Sequence, residues 1–158
     1  MTRIKIIKPS TKIAYLFLIF LPSVCFAQLK EKNAITNAVK YVADYELQQK
    51  IKFVFRKNKV DTIIIKNEYA FFTALPMQLN NRKVDLGKGI YKYLKNGEHD
   101  NFFINPIYIA VLQKTNGIWH ILKLAVGCTD ICYDCWWKEL NVPKDIFPEK
   151  SLINDNCK

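Results

Sequence analysis

The sequence predicts an α+β domain: an N-terminal helix packed on a curved antiparallel sheet of about four or five strands, with a short C-terminal helix. Three observations predict it. Glu31 to Gln49 is amphipathic at helical spacing and contains neither Pro nor Gly. Runs rich in β-branched and aromatic residues follow it, joined by polar turns rather than by helices, which is the pattern of an antiparallel sheet. And Asn116-Gly117 separates two long apolar runs, the strongest short-range hairpin signal because both turn residues need positive φ.

Taken in order, the helix shows Ile35, Ala38, Val39, Val42, Tyr45 and Leu47 near i, i+3, i+4, i+7 spacing, with Asn33 as a candidate N-cap. Ile51 to Phe55 alternates, placing Ile51, Phe53 and Phe55 on one face. Val60 to Ile65 is β-branched almost throughout, and Asn67-Glu68 is turn-like. Tyr69 to Leu75 is an aromatic strand that Pro76 is expected to stop. Gln78 to Gly89 reads as a loop, Ile90 to Leu94 as a short ambiguous element, and Asn96 to Asn101 as a polar connection. Ile107 to Leu112 and Ile118 to Val126 are the hairpin strands. Thr129 is placed to cap a helix reaching about Asn141, with Trp136, Trp137 and Leu140 on its apolar side and Pro143 at its end. Lys144 to Lys150 is a short turn, and Ser151 to Lys158 a polar tail.

Length and composition agree with one folded domain. The chain has 158 residues, 50% hydrophobic and 13% aromatic, too short for a barrel enzyme with a separate cofactor module and too apolar for a disordered chain. Its beginning is distinct. Arg3, Lys5, Lys8 and Lys12 precede the 15-residue run Ile13 to Ala27, without an acid. A basic stretch, a short apolar run and a small terminal residue describe a secretory signal peptide, with the cut expected after Ala27. The domains expected are therefore a signal at 1–27 and a single domain at 28–158. Two readings compete. A retained helix needs roughly 18–20 apolar residues without a Pro such as Pro22. A lipid anchor on Cys25 would follow Val24, a poor preceding residue. The expected location is periplasmic or secreted, with no stable membrane span after cleavage.

Removing residues 1–27 takes four basic residues from the total of 24, leaving 20 Lys+Arg against 14 Asp+Glu, a net charge of +6 instead of +10. Only Arg56 and Arg82 of those 20 are arginine. Bidentate readout of bases and phosphates favours arginine, so no nucleic-acid partner is expected. Another envelope or secreted protein is the expected partner.

Three groups of residues carry a family resemblance. Ala70-Phe71 after an aromatic, with Pro76 beyond it, is the first. Ala110-Val-Leu112 followed by Asn116-Gly-Ile-Trp119 is the second. Ala125-Val-Gly-Cys-Thr-Asp130, then Trp136 or Trp137, then Asn141-Val-Pro143, is the third. In this order they resemble a group of small exported bacterial proteins of unknown function, over residues 50 to 147. The resemblance implies an exported α+β domain and assigns no activity. The nearest shapes are the cystatin-like and NTF2-like folds. The chain departs from that pattern with Cys128 where Pro is usual, and with Cys132 and Cys135 added.

Cys128, Cys132, Cys135 and Cys157 remain once Cys25 is lost with the signal. An even number in an oxidising compartment predicts two disulfides. The favoured pairing joins Cys157 to one member of the cluster and closes the other two together, tethering the tail at 151–158. Cys132-Tyr-Asp-Cys135 also has the spacing of a thiol-redox pair, although a thioredoxin places it early, after a parallel strand. Cys128-x3-Cys132-x2-Cys135 matches an iron–sulfur spacing, but it lies late in a short exported chain. Zinc held by cysteine with His99 or His120 competes with oxidation of the same thiols.

No nucleophile elbow, phosphate-binding loop or metalloprotease helix is present. Glu68, Asp85, Glu98, Asp100, Asp130, Asp134 and Glu139 are scattered, and the sequence alone assigns no pair of them acid and base roles. No catalytic residue, metal or cofactor is expected. Tyr69, Phe71, Trp119, Trp136 and Trp137 are the candidate binding residues if they line a sheet concavity. The sequence thus predicts an exported, non-enzymatic binding or accessory protein, of inhibitor or immunity type. The rival is an enzyme, either thiol-redox through Cys132 and Cys135 or a small hydrolase with its site in the sheet cavity.

Overall fold

A computed structural model describes residues 11–57, 61–85, 88–90, 107–127, 132–148 and Cys157, with side chains from Phe26 onward. The chain divides into two units, Met1–Asn33 and Ala34–Lys158. The elements are α1 (Thr11–Leu47), β1 (Ile51–Val54), β2 (Thr62–Lys66), β3 (Tyr69–Gln78), β4 (Tyr108–Thr115), β5 (Ile118–Val126), α2 (Trp136–Glu139) and a 3-10 turn at Lys144–Ile146. This is the α+β arrangement expected: an N-terminal helix on a five-stranded antiparallel sheet, with a short C-terminal helix.

Helix α1 runs upstream of Asn33, which is interior to it and caps nothing. Gln28, Leu29, Lys30, Glu31 and Lys32 are good helix formers and offer no reason to begin there. The buried stripe of α1 is Ile35, Val39, Ala43 and Leu47, each fully buried. Tyr45, expected on that face, is 79% exposed. Ten residues beyond Ile35 it lies about 80° around the helix, at 100° per residue. Ala43, a smaller residue, takes the place against the sheet.

Strand β3 is the centre of the sheet. β1 pairs with its C-terminal half, Ile51 opposite Gln78, and β2 with its N-terminal half, Thr62 opposite Thr73. Arg56 and Asp61 close the break between β1 and β2. The fully buried Asp61 carboxylate accepts the Arg56 backbone N–H at 3.1 Å, Nε at 2.5 Å and Nη2 at 2.8 Å. This forked, charge-assisted contact holds the Arg56 guanidinium above its ordinary pKa, against some loss from burial.

β3 does not stop at Pro76. It continues to Gln78, with Pro76 opposite Phe53. The ladder with β4 ends at Ala74 opposite Tyr108, so Pro76 stands beyond the last β4 pair. A proline is tolerated where that edge has no ladder to feed.

The β4–β5 hairpin forms as the sequence predicts. Thr115 pairs with Ile118 across Asn116 and Gly117, whose φ values are +52° and +81°. These values meet the requirement of a type I′ turn, and Gly117 adopts its value at no steric cost. A register shift between Val111 and Leu112 leaves Leu122 as the extra residue of a β-bulge.

Alternation along the strands separates two cores. On one face Ala70, Phe72, Ala74, Tyr108, Ala110, Leu112 and Trp119 meet the stripe of α1. On the other, Phe71, Ile109 and Val111 meet Tyr133, Trp136, Val142, Ile146 and Phe147. Phe53 stacks edge-on against Phe72 at 4.9 Å and Phe71 against Tyr133 at 5.0 Å, a favoured geometry for aromatic pairs.

α2 is shorter than the sequence suggests. It is one turn, Trp136–Glu139, and its N-cap position is Cys135 with no side-chain cap. Thr129, the expected cap, lies outside the described residues, as do Cys128, Asp130, all but Ile90 of the short element expected at Ile90 to Leu94, and the polar connection at 96–101 with Glu98, His99 and Asp100. The helix ends before Pro143. Asn141 takes φ +53° and donates its N–H to the Lys138 carbonyl, while Val142 donates to Trp137. That paired closure satisfies the last carbonyls and turns the chain out of the helix.

Candidate functional site

Two adjoining stripes of α1 have different duties. Ile35, Val39 and Ala43 are buried against the sheet. Ala34, Ala38, Tyr41 and Val42, at i, i+4, i+7 and i+8, form the next stripe round the helix. That second stripe makes one wall of a groove of about 620 Å³, whose other wall is Gly117, Ile118, Trp119, His120 and Ile121 at the start of β5. The hairpin turn sets the position of this second wall, because it delivers Ile118 directly after Gly117. Trp119 is nearly buried beneath the groove, at 6% exposure, whereas Ile118 is 62% exposed and Tyr41 80%. Two small helix residues, Ala34 and Ala38, leave the space open between them.

Among the described residues the lining is apolar but for the His120 imidazole and the Tyr41 hydroxyl, and it holds no carboxylate. The Lys114 ammonium lies 5.7 Å from the Trp119 ring centroid, so positive charge borders the same region. These groups suit burial of apolar side chains.

A second depression of about 300 Å³ is polar, lined by Gln49, Lys50, Gln78, Leu79, Asn80 and Lys88. Gln49 holds its base in place, donating to the Asp85 carbonyl at 2.9 Å and accepting from the Asp85 N–H at 3.2 Å. Near it Asp44 accepts from Lys40 at 2.6 Å and from the Ile51 N–H at 2.9 Å. Burial by itself would raise the Asp44 carboxyl. These hydrogen bonds and the charges of Lys40 and Lys50 outweigh it and hold the group below its ordinary 3.8.

The five aromatic residues named from the sequence do not share one concavity. Trp119 packs in the core under α1. Phe71 and Trp136 are buried in the opposite core, with Tyr69 and Trp137 packed against it. The Tyr69 hydroxyl accepts a hydrogen bond from Gln113 at 3.3 Å, and the Lys144 ammonium lies 3.9 Å from the Trp137 ring centroid. Most of this aromatic surface is spent on covering the sheet. The carboxylates are equally dispersed: Glu139 pairs with Lys123, Asp85 belongs to the Gln49 clamp, and Glu68 is in the β2–β3 turn. Among the described residues no cluster of three or more His, Cys, Asp or Glu is placed to hold a metal ion.

Cys135 is bonded to Cys157, 22 residues away, with a Cα separation of 5.6 Å. Cys132 is disulfide-bonded too. Cys132 and Cys135 are therefore not bridged to each other, as a redox pair of that spacing would be. Cys157 is buried, and its carbonyl accepts from the Lys138 ammonium at 2.5 Å. The bridge fixes the end of the chain beside α2.

The groove residues of α1 escape a reading based on periodicity alone, because it assigns Ala38 and Val42 to the core. The available signal was Tyr41, an aromatic on the side of the helix away from Ile35, Val39 and Ala43. In comparisons with known proteins, no family model, curated protein or solved structure matches the chain.

Proposed function

We propose that this protein is an exported, non-enzymatic binding protein of the cell envelope, and that it binds another envelope or secreted protein through the groove between α1 and β5. The observation that carries this reading is the groove itself: an open apolar channel whose exposed large side chains, Tyr41 and Ile118, contribute little to the core. Aromatic and aliphatic side chains left in water beside a concavity are a common mark of an interaction site. The leader-like residues 1–27 support export. Disulfide-bonded Cys132, Cys135 and Cys157 suit an oxidising compartment. An inhibitor or immunity role is the form such binding would take in an envelope.

The test is capture from the envelope by tagged protein, expressed as the full chain and recovered from an oxidising compartment. Wild type and the variants Tyr41→Lys and Ile118→Lys are compared at matched amounts. One reproducible partner, retained by wild type and lost from both variants, is expected. Capture that is indifferent to both substitutions, or absent from wild type, overturns the reading.

A further inference from the structure

We infer that the occupant of the groove is an extended segment of an acidic partner protein, which adds as a short strand to the outer edge of β5 and turns alternate apolar side chains toward α1. This rests on the binding reading above and specifies its ligand.

Three features lead to it. First, β5 is last in the strand order and pairs only with β4 among the described residues. A terminal strand is a ready template for a further chain, and extended peptides use such edges widely. Second, the groove adjoins the stretch of β5 that is regular. Ile118 to Ile121 lie between the hairpin turn and the bulge at Leu122, and all four line the groove. Beyond Ile121 the bulge breaks the repeat of the strand, so the guest strand is limited to about four paired residues. Trp119 and Ile121 face α1. A guest in register with them sends every second side chain into the space above Ala38, Tyr41 and Val42. Third, charge selects the partner. Among the described residues the groove lining holds no carboxylate, Lys114 borders it, and the whole chain carries +10, or +6 without residues 1–27. Pairing with a second copy would bring together two chains of the same positive net charge, whereas acidic flanks on a guest are drawn in.

The test uses three capped peptides that share the core Val-Thr-Val-Thr-Val: one flanked by aspartates, one by lysines, and one aspartate-flanked with proline at the central position. Binding to the purified protein is read by fluorescence anisotropy. The aspartate-flanked peptide is expected to bind at least tenfold more tightly than the lysine-flanked one, with the gap narrowing as salt rises. Central proline is expected to cost tenfold or more, since it cannot donate to the ladder. Tyr41→Asp and Ile118→Asp should each weaken binding of the aspartate-flanked peptide tenfold while leaving the thermal midpoint unchanged.

Equal binding of the acidic and basic peptides overturns the charge assignment, and indifference to proline overturns the strand assignment. No binding of the aspartate-flanked peptide, in a protein whose envelope partner is still lost on Tyr41→Lys, overturns the inference and leaves the groove as the binding site. Envelope capture unaffected by Tyr41→Lys removes the groove reading with it. A dimer in light scattering that Ile118→Lys dissolves would make the occupant a second copy, and would also overturn the inference.

Discussion

On one face of the sheet, a single helix lays Ile35, Val39, Ala43 and Leu47 over Ala70, Phe72 and Ala74. On the other, Tyr133, Trp136, Val142, Ile146 and Phe147 cover Phe71, Ile109 and Val111 from a segment whose regular structure is a four-residue helix and a three-residue 3-10 turn. The side chains are alike, but the covers differ. A long helix satisfies its own backbone and needs only its stripe to dock. A short irregular segment has no long repeating ladder to order it and loses much entropy on ordering. The chain adds to that second cover a Cys135–Cys157 bridge and the Lys138 contact to the Cys157 carbonyl. The face that folds by local pattern keeps an open groove at its edge.

The largest effects should come from the aromatic at the centre of each core. Phe72→Ala on the helix face and Phe71→Ala on the cross-linked face should each cost about 3–5 kcal/mol in denaturant unfolding. A loss below about 1 kcal/mol for Phe71→Ala would mean that the C-terminal cover is not a true core. Next, replacing Cys135 and Cys157 together with alanine should cost about 3 kcal/mol in the chain-entropy view. Near-ultraviolet signals from Trp136 and Tyr133 should weaken while helical signal from α1 persists. Equal loss of both would show that the two faces form one cooperative unit.

Gly89 offers a smaller break on the helix face. Its φ is +69°, and an added Cβ would stand 1.9 Å from the Glu46 carbonyl oxygen. Gly89→Ala should therefore cost about 2 kcal/mol, read as a lower thermal midpoint, because both the conformation and the space oppose it. A neutral result would mean that the loop before Ile90 does not approach the end of α1 so closely. The smallest effect is electrostatic. Asp44 is held below 3.8 when folded, so its stabilisation is present above that pH and fades as pH falls through and below it. The contribution should be under about 1 kcal/mol, since Lys40 is partly exposed. Asp44→Asn should flatten the acid limb of the stability profile between pH 5 and pH 2, about the span over which such a carboxylate loses its charge.

Legibility in the sequence follows the range of the interactions involved. The β4–β5 hairpin is readable because Asn116 and Gly117 alone meet its backbone requirement. Helix α1 is readable because a four-residue spacing of apolar side chains repeats along it. Pro76 misleads because its cost depends on whether a neighbouring strand needs its N–H, and β4 ends its pairing at Ala74. Tyr45 misleads because a broad helical template admits it, while the sheet accepts only the narrower stripe through Ala43. The length of α2 is misread because Trp136, Trp137 and Leu140 suit a longer helix, and the bridge from Cys135 to Cys157 is not encoded in their spacing. The groove is the least readable feature. Its walls lie 75 or more residues apart in the chain, and its lining looks like ordinary core sequence.

By itself the sequence determined the fold class, the order of helix and strands, the hairpin turn and the number of cysteines available for bridges. Each is a matter of periodicity, turn chemistry or count, and each acts over a few neighbouring residues. Only the tertiary structure decided which aromatic residues are buried on which face, which cysteine holds the tail, and that Tyr41 and Ile118 meet across an open groove. Those outcomes depend on pairings between distant segments. The same apolar side chain is core or surface according to whether another element arrives to cover it.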